Sequence, residues 1–454
     1  MHTIAAIATP HAAGGIAVIR ISGSNARSVA QTCFRSVTGK SVSEMPGYTC
    51  AYGKFVDPSG AELDDGIVTV FRAPHSYTGE DVVELSCHGG IFVTRQLLEA
   101  VYAAGAAPAE PGEFTKRAFL AGKMTLTQAE AVMDVIGAAG ARELSFAHAQ
   151  QNGALFHRVQ QITQGIVRSL GDLAAWADYP EDEIPAVTPE SLRASLLPVL
   201  EQLDSTLATY DYGRILQSGV SAVIVGKPNV GKSTLFNLLS GSQRSIVTEI
   251  AGTTRDVVEE QIRLGNVTLR LSDTAGLRET ADVIEQMGVK IAEERLAQAD
   301  LILAVFDSTR PLDDDDMRML EQLPDKPVIA ILNKSDQTAQ LDAAALEQRF
   351  AQVITMAAKD GSGLEQLRQA VEKRFYQAEV TPELGIVANA RQKQCLEQAK
   401  EQVQLALDAL DAGEMLDAVT VLLEEAADAL LTLTGERVSE AVVNDVFSRF
   451  CVGK

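Results

Sequence analysis

The densest chemistry in the chain lies in eight residues, Gly226-Lys227-Pro228-Asn229-Val230-Gly231-Lys232-Ser233, a G-x-x-x-x-G-K-S run. Its glycines let backbone N–H groups converge on phosphate oxygens, and a helix opening there adds positive potential at its N-terminus. The Lys232 ammonium suits β- and γ-phosphates, and the Ser233 hydroxyl suits Mg²⁺. Further on, Asp273-Thr274-Ala275-Gly276 offers a carboxylate toward Mg²⁺ and, at Gly276, a backbone N–H toward the γ-phosphate. Asn333-Lys334-Ser335-Asp336 follows. The Asp336 carboxylate can accept two hydrogen bonds from guanine N1–H and its exocyclic amine. Adenine would leave that carboxylate unpaired, which favours GTP over ATP.

These pieces need a parallel sheet to position them. Apolar strands Val220 to Val225, Val267 to Leu271 and Val328 to Leu332 each run into one of them, and between about 219 and 376 strands alternate with helices. Ala357-Ala358-Lys359 stands after another strand, where comparable GTPases usually carry Ser-Ala-Lys. In order, the motifs specify a GTPase domain. Upstream, residues 1 to about 118 hold short β-type runs broken by glycine and proline, an α+β texture, and about 120 to 212 reads as helical. From about 380 helices return, with Leu416, Val419, Leu422, Leu423, Ala426 and Leu430 marking one buried face. The expected fold is multidomain α+β and α/β: domain 1–118, a helical domain split into 119–212 and 379–454, and a P-loop GTPase domain, 213–378, inserted between its halves. The run Asp313 to Asp316 reads as a solvated helix start.

The GTPase domain lacks some expected groups. Leu277 follows Gly276, where signalling GTPases carry the glutamine that orients water. All six histidines, His2, His11, His75, His88, His148 and His157, lie upstream. Another group must place the water, and a cation must neutralise the transition state. Glu285 is the candidate carboxylate; its plain alternative is an exposed helix-surface residue.

The 454 residues carry 39 Lys and Arg against 61 Asp and Glu, a net charge of −22. So acidic a chain cannot bind polyanions through its average field, and any nucleic-acid contact needs a small basic site or a borrowed surface. Five cysteines without disulfide or zinc spacing fit a reducing cytosol. The N-terminus lacks a secretory pattern, no run is long and apolar enough for a membrane span, and the tail Cys451-Val452-Gly453-Lys454 does not suit prenylation. A soluble, cytoplasmic protein with no membrane contact is expected.

Beyond the GTPase motifs, Ile19-Arg20-Ile21-Ser22-Gly23, Thr78 to Leu85, His88-Gly89-Gly90, Pro111 to Leu120, Gly241 to Asp256 and the terminal Cys-x-Gly-Lys resemble the MnmE (TrmE) family of tRNA-modification GTPases. The resemblance spans essentially the whole chain. It implies a homodimer through a folate-binding-like N-terminal domain and a heterotetramer with the FAD-dependent partner MnmG. Together they add an aminomethyl or carboxymethylaminomethyl group to C5 of the wobble uridine (U34) of certain tRNAs, with tRNA held mainly through the complex. The one-carbon unit is implied to come from a tetrahydrofolate such as 5-formyltetrahydrofolate, and the matching residues are Arg20, Glu84, Lys123 and Lys454. A carboxylate can pair with the pterin's amino-pyrimidine edge, and cations suit folate carboxylates.

For the GTPase domain the resemblance implies K⁺ held by Asn229, Thr248, Ile250 and Thr253, and Mg²⁺ held by Ser233 and Thr254. It implies a GTP site of Asn229 to Thr234, Thr248 to Thr254 (with Glu249, Ala251 and Gly252), Asp273 to Gly276 (with Thr274 and Ala275), Asn333, Lys334, Asp336 and Ala357 to Lys359. K⁺ would take the place of an arginine finger, and Glu285 matches the water-orienting glutamate. His11-Ala12-Ala13 departs from the Gly-Arg-type stretch of relatives. Cys451 is either a buried inert thiol or a thiol at the modification centre. The alternative is a GTP-switched ribosome-assembly factor without modification chemistry, although the helical tail lacks Lys/Arg bias and a GxxG loop.

Overall fold

The computed structural model describes residues 2–178, 187–242, 259–272, 296–376 and 384–454. The chain divides into two compact units, Met1–Met133 with Gln150–Leu203 and Cys395–Lys454, and Asp134–Ala149 with Asp204–Gln394.

In the first unit, seven strands form one sheet: β1 (Ile4–Ile7), β2 (Ile16–Ser22), β3 (Phe34–Ser36), β4 (Thr49–Val56), β5 (Glu62–Phe71), β6 (Val82–His88) and β7 (Ala107–Pro108). Their order is β3-β4-β5-β6-β2-β1-β7, antiparallel except for the β1–β7 pair. Along β4 buried and exposed residues alternate, so one face is packed and the other solvated. The packed face sets Ile19, Ile21, Phe55, Val68 and Leu85 against Val29 and Leu97 of the helices Ala26–Cys33 and Ile91–Ala103. Helix Leu416–Thr434 buries Val419, Leu423, Ala426 and Leu430, as its spacing predicts; Leu416 and Leu422 are only half-buried. Helix Glu440–Ser448 adds Val443, Val446 and Phe447 to a cluster with Leu126, Ala129 and Val132.

The second unit holds a six-stranded sheet of β8 (Val220–Val225), β9 (Glu259–Leu264), β10 (Val267–Ser272), β11 (Leu301–Asp307), β12 (Val328–Asn333) and β13 (Val353–Thr355). The order β13-β12-β11-β8-β10-β9 is parallel except for the antiparallel edge strand β9. Every residue of β11 is buried, as a central parallel strand covered on both faces requires. Leu303 and Val305 pack with Leu235 and Leu367, whereas Ala304 and Phe306 pack with Leu320 and Leu346. The carboxyl ends of β8, β11 and β12 therefore share one rim, where an open α/β sheet binds its ligand.

One expectation is corrected. Asp313 does cap the helix Asp314–Gln322, accepting from the backbone N–H groups of Asp315 and Asp316, but the Asp313 to Asp316 run is not uniformly solvated. Asp316 is buried, because Arg310 grips it with two hydrogen bonds of 2.6 and 3.1 Å while its carboxylate completes a capping box. A charge goes inside when its partner and the cap come with it.

Candidate nucleotide site and N-terminal cluster

The Gly226–Ser233 loop leaves β8 and enters the helix Lys232–Ser242, the setting its motif demands. Three of its residues take the left-handed half of backbone space, Gly226 at φ 150°, Asn229 at φ 66° and Gly231 at φ 103°. Asparagine is among the few side chains that tolerate this region. Gly231 has no alternative, since a Cβ there would lie 2.1 Å from Asn333 Nδ2. The Lys232 ammonium donates to Gly226 O at 2.6 Å and Lys227 O at 2.8 Å, which holds it across the loop. Ser233 and Thr234 are exposed in the first helical turn.

Asn333 ties three segments together. Its Nδ2 donates to Val230 O at 2.8 Å, and its buried Oδ1 accepts from Ala358 N at 2.9 Å. The missing serine of Ala357-Ala358-Lys359 thus leaves this backbone link intact. Lys334, at φ 66°, reaches back to Asp307 Oδ2 at 2.6 Å. Asp307 in turn accepts from Thr309 N at 3.0 Å and Thr309 Oγ1 at 2.6 Å. Burial pushes the Asp307 carboxyl up, but the hydrogen bonds from Lys334 and Thr309 outweigh it and hold it below the ordinary carboxylate value. Asp336 stands exposed at the same rim.

Sequence reading missed Asp307, although the polar Asp-Ser-Thr after the apolar run of β11 was a signal. It also missed that Lys227 donates to both oxygens of Asp313 at 2.6 Å. That bond holds the Asp313 carboxyl at about 2. The residues Thr248, Glu249, Ile250, Ala251, Gly252, Thr253, Thr254, Asp273, Thr274, Ala275, Gly276 and Glu285 lie outside the described residues.

A second cluster forms in the first unit. Arg20 Nε donates to Glu84 Oε1 at 2.9 Å across the β2–β6 register, and its Nη1 donates to Gly453 O at 3.3 Å. The C-terminus is laid into this place by backbone bonds: Gly112 N donates to Cys451 O at 3.3 Å and Phe114 N to Lys454 O at 3.2 Å. Gly453 is required there, because a Cβ would lie 2.4 Å from Ile7 O. Burial, then repulsion from Arg20, draws the Lys454 amine below its ordinary value. The Arg20 guanidinium carbon lies 5.6 Å from the Tyr77 ring centre and 5.7 Å from that of Phe114, two residues the sequence reading did not single out.

Arg20, Glu84 and Lys454 are thus brought together. Lys123 is not joined to them; its amine donates to Pro74 O at 2.8 Å and to Ser76 O, on the turn that carries Tyr77. Cys451 is exposed, so the reading of a buried, inert thiol does not hold. Among the described residues no helix is long and apolar enough to cross a membrane.

The family model described as "GTP-binding protein TrmE N-terminus" matches residues 3–123, and that of the "MnmE helical domain" matches residues 126–451. A "tRNA modification GTPase MnmE" from Acetivibrio thermocellus is 40% identical over 456 residues, covering 100% of this chain and 99% of that one. Its counterpart from Geobacillus kaustophilus is 41% identical over 457 residues, with the same two coverages. Among solved structures, Aquifex aeolicus Era bound to GDP.AlF4- is 29% identical over 41% of this chain and 67% of that one, at a TM-score of 0.28. With its phosphate loop and full-length identity to such relatives, the chain belongs to the MnmE family of tRNA-modification GTPases and is a GTP hydrolase.

Proposed function

We propose that this chain is a K⁺-dependent GTPase that, with an FAD-dependent MnmG-type partner, places an aminomethyl or carboxymethylaminomethyl group on C5 of the wobble uridine of certain tRNAs. The full-length identity to MnmE relatives carries this reading. In the nucleotide site, Asp336 selects guanine, while Lys334, braced by Asp307, shapes the same rim. Lys232 exchanges its two carbonyl partners for β- and γ-phosphate oxygens on binding. Asn229, exposed at the loop mouth, is sterically able to offer its side-chain oxygen to K⁺, with Thr248, Ile250 and Thr253 completing the set. Ser233, exposed in the first helical turn, and Thr254 would hold Mg²⁺. When bound, the two cations supply positive charge against the transferring phosphoryl group. Glu285 orients the attacking water, a role that needs position more than basicity.

In the N-terminal cluster, Glu84 offers its carboxylate to a pterin edge, while Arg20 and Lys454 attract folate carboxylates. The Arg20 and Lys454 cations offer partners to an anionic ligand, and Tyr77 and Phe114 add aromatic walls. Lys123, held on Pro74 O and Ser76 O rather than within the cluster, is assigned to the same ligand. Cys451 is assigned to the modification centre, and its exposure supports that role. A homodimer through the N-terminal domain is supported by Tyr52 and Ile67, a direct cross-strand pair, and by Ile16 on the same solvated sheet face. A cytoplasmic location follows from tRNA as substrate. Mass spectrometry of tRNA nucleosides from a strain lacking this chain tests the reading: loss of the C5-modified wobble uridines is expected, and an unchanged nucleoside profile overturns it.

A further inference from the structure

The second unit has a cleft of about 820 Å³ that no nucleotide motif touches. Its wall includes Leu301 and Val328, the first residues of β11 and β12, and the segment that enters β13. It therefore lies at the amino ends of the parallel strands, whereas the phosphate loop and Asn333 lie at their carboxyl ends. At ~3.3 Å per residue the length of β11 separates the two ends by roughly 20 Å.

The cleft is basic in an acidic chain. Lys326, Arg349, Lys373 and Arg374 line it against one carboxylate, Asp325, in a protein of net charge −22. Lys373 and Arg374 stand in the last turn of the helix Leu364–Phe375, where cations complement the macrodipole, so on their own they would need no ligand. A similar account covers Arg349, whose acceptor Leu320 O lies in the last turn of the helix Asp314–Gln322, but it does not extend to Lys326, which comes from a separate segment and converges on the same hollow. Arg349 Nη2 donates to Leu320 O at 2.7 Å, which fixes its guanidinium at the wall. Among the described residues no carboxylate forms an ion pair with Lys326, Lys373 or Arg374. Half-buried Phe350 adds an aromatic side chain to the lining.

We propose that this cleft docks the phosphodiester backbone of the RNA substrate, away from the nucleotide site. The inference rests on the reading of the chain as a tRNA-modification GTPase. A chain that repels polyanions on average must gather cations locally to hold one, and backbone phosphates are met by such clusters, with aromatic rings available to an unstacked base. The alternative occupant, an acidic protein surface, is separated by experiment.

The test uses the full chain carrying Lys326→Glu, Lys373→Glu and Arg374→Glu together; Arg349 is kept because it supports Leu320. Fluorescence anisotropy with an unmodified tRNA transcript is measured between about 50 and 200 mM salt, the range over which phosphate contacts are strongly screened. The expected result is at least ~10-fold weaker binding, with the slope of log affinity on log salt shallower by about 2, since each phosphate no longer neutralised removes about 0.7–0.9 from it. GTP turnover should be unchanged, which shows that the unit is folded. Should the reversals prevent folding, the neutral triple Lys326→Gln, Lys373→Gln and Arg374→Gln should give a smaller loss in the same direction. Unchanged tRNA affinity and slope would overturn the proposal, as would abolished binding of the flavin partner with tRNA binding intact. Wobble-nucleoside analysis of a strain lacking the chain keeps the two readings apart. Altered nucleosides with unchanged binding refute the cleft alone, and a normal profile refutes the tRNA reading itself.

Discussion

Replacing Asn333 with alanine removes one side chain and strands two backbone groups. Val230 O would lose its 2.8 Å donor and Ala358 N its 2.9 Å acceptor, both at a site where Asn333 itself is 3% exposed. A buried polar group left unsatisfied costs about 1–3 kcal/mol, so the pair amounts to about 2–6 kcal/mol, toward the low end where water can enter. For a unit of this size that corresponds to a melting shift of at least ~4 °C. The same link aligns the phosphate loop with the Ala357–Lys359 turn, so nucleotide must re-order both in the variant. A loss of about 1.4–3 kcal/mol in GTP binding, or about 10- to 100-fold in Kd, is expected. Gly231→Ala should converge on this result by a different route. Its Cβ would sit 2.1 Å from Asn333 Nδ2 and must push that amide off Val230 O, at a φ of 103° that alanine resists. Thermal unfolding with and without GDP and titration of a fluorescent GTP analogue provide the readouts. Melting of Asn333→Ala within about 1 °C of the parent, with GTP affinity within about twofold, would refute the idea that this amide holds the site together.

Three further outcomes are expected. Glu285→Ala should keep GTP affinity but lower kcat by at least ~10²-fold, the lower range for one positioned catalytic group, and a rate within about threefold of the parent would show that another group places the water. GTP turnover should be faster in KCl than in NaCl at matched ionic strength, and Asn229→Ala should erase most of that difference while retaining guanine nucleotide; equal rates in the two salts would sink the K⁺ reading. In the N-terminal cluster, the depressed Lys454 amine gains a counter-charge when an anionic folate binds, so binding takes up protons and affinity should fall as pH rises toward and beyond the ordinary lysine value of 10.5. Without ligand the sign reverses: the unfolded chain holds the Lys454 proton more tightly, so this group's contribution to stability rises with pH from the depressed value up to about 10.5 and levels off beyond it. A folate affinity flat across alkaline pH, or unaffected by Arg20→Ala, would disprove that assignment.

How much could be read in advance differs between the two sites, and the reason is the range of the interactions. The phosphate loop is local: its glycines, its lysine and the strand-to-helix turn occupy eight successive residues, so spacing alone reports the chemistry. The apolar strands and the 3.6-period face of Leu416–Thr434 are local in the same sense, because backbone geometry imposes those periods. What spacing could not supply was long-range. Asn333 reads as a guanine-side residue, yet its amide bonds run to Val230 and Ala358. Asp307 becomes part of the rim only because β11 and β12 are parallel neighbours that end together. Asp316 looked solvated until Arg310 folded over it. Arg20 and Glu84 are 64 residues apart and Arg20 and Gly453 are 433 apart, so only sheet register and the return of the C-terminus bring them to one place. Without the family resemblance, Arg20, Glu84, Lys123 and Lys454 would have read as ordinary surface charges. Sequence thus determined the chemistry that one turn of backbone can hold, and tertiary structure decided the chemistry that requires distant segments to meet, since chain closure over hundreds of residues leaves no periodic trace in the residues themselves.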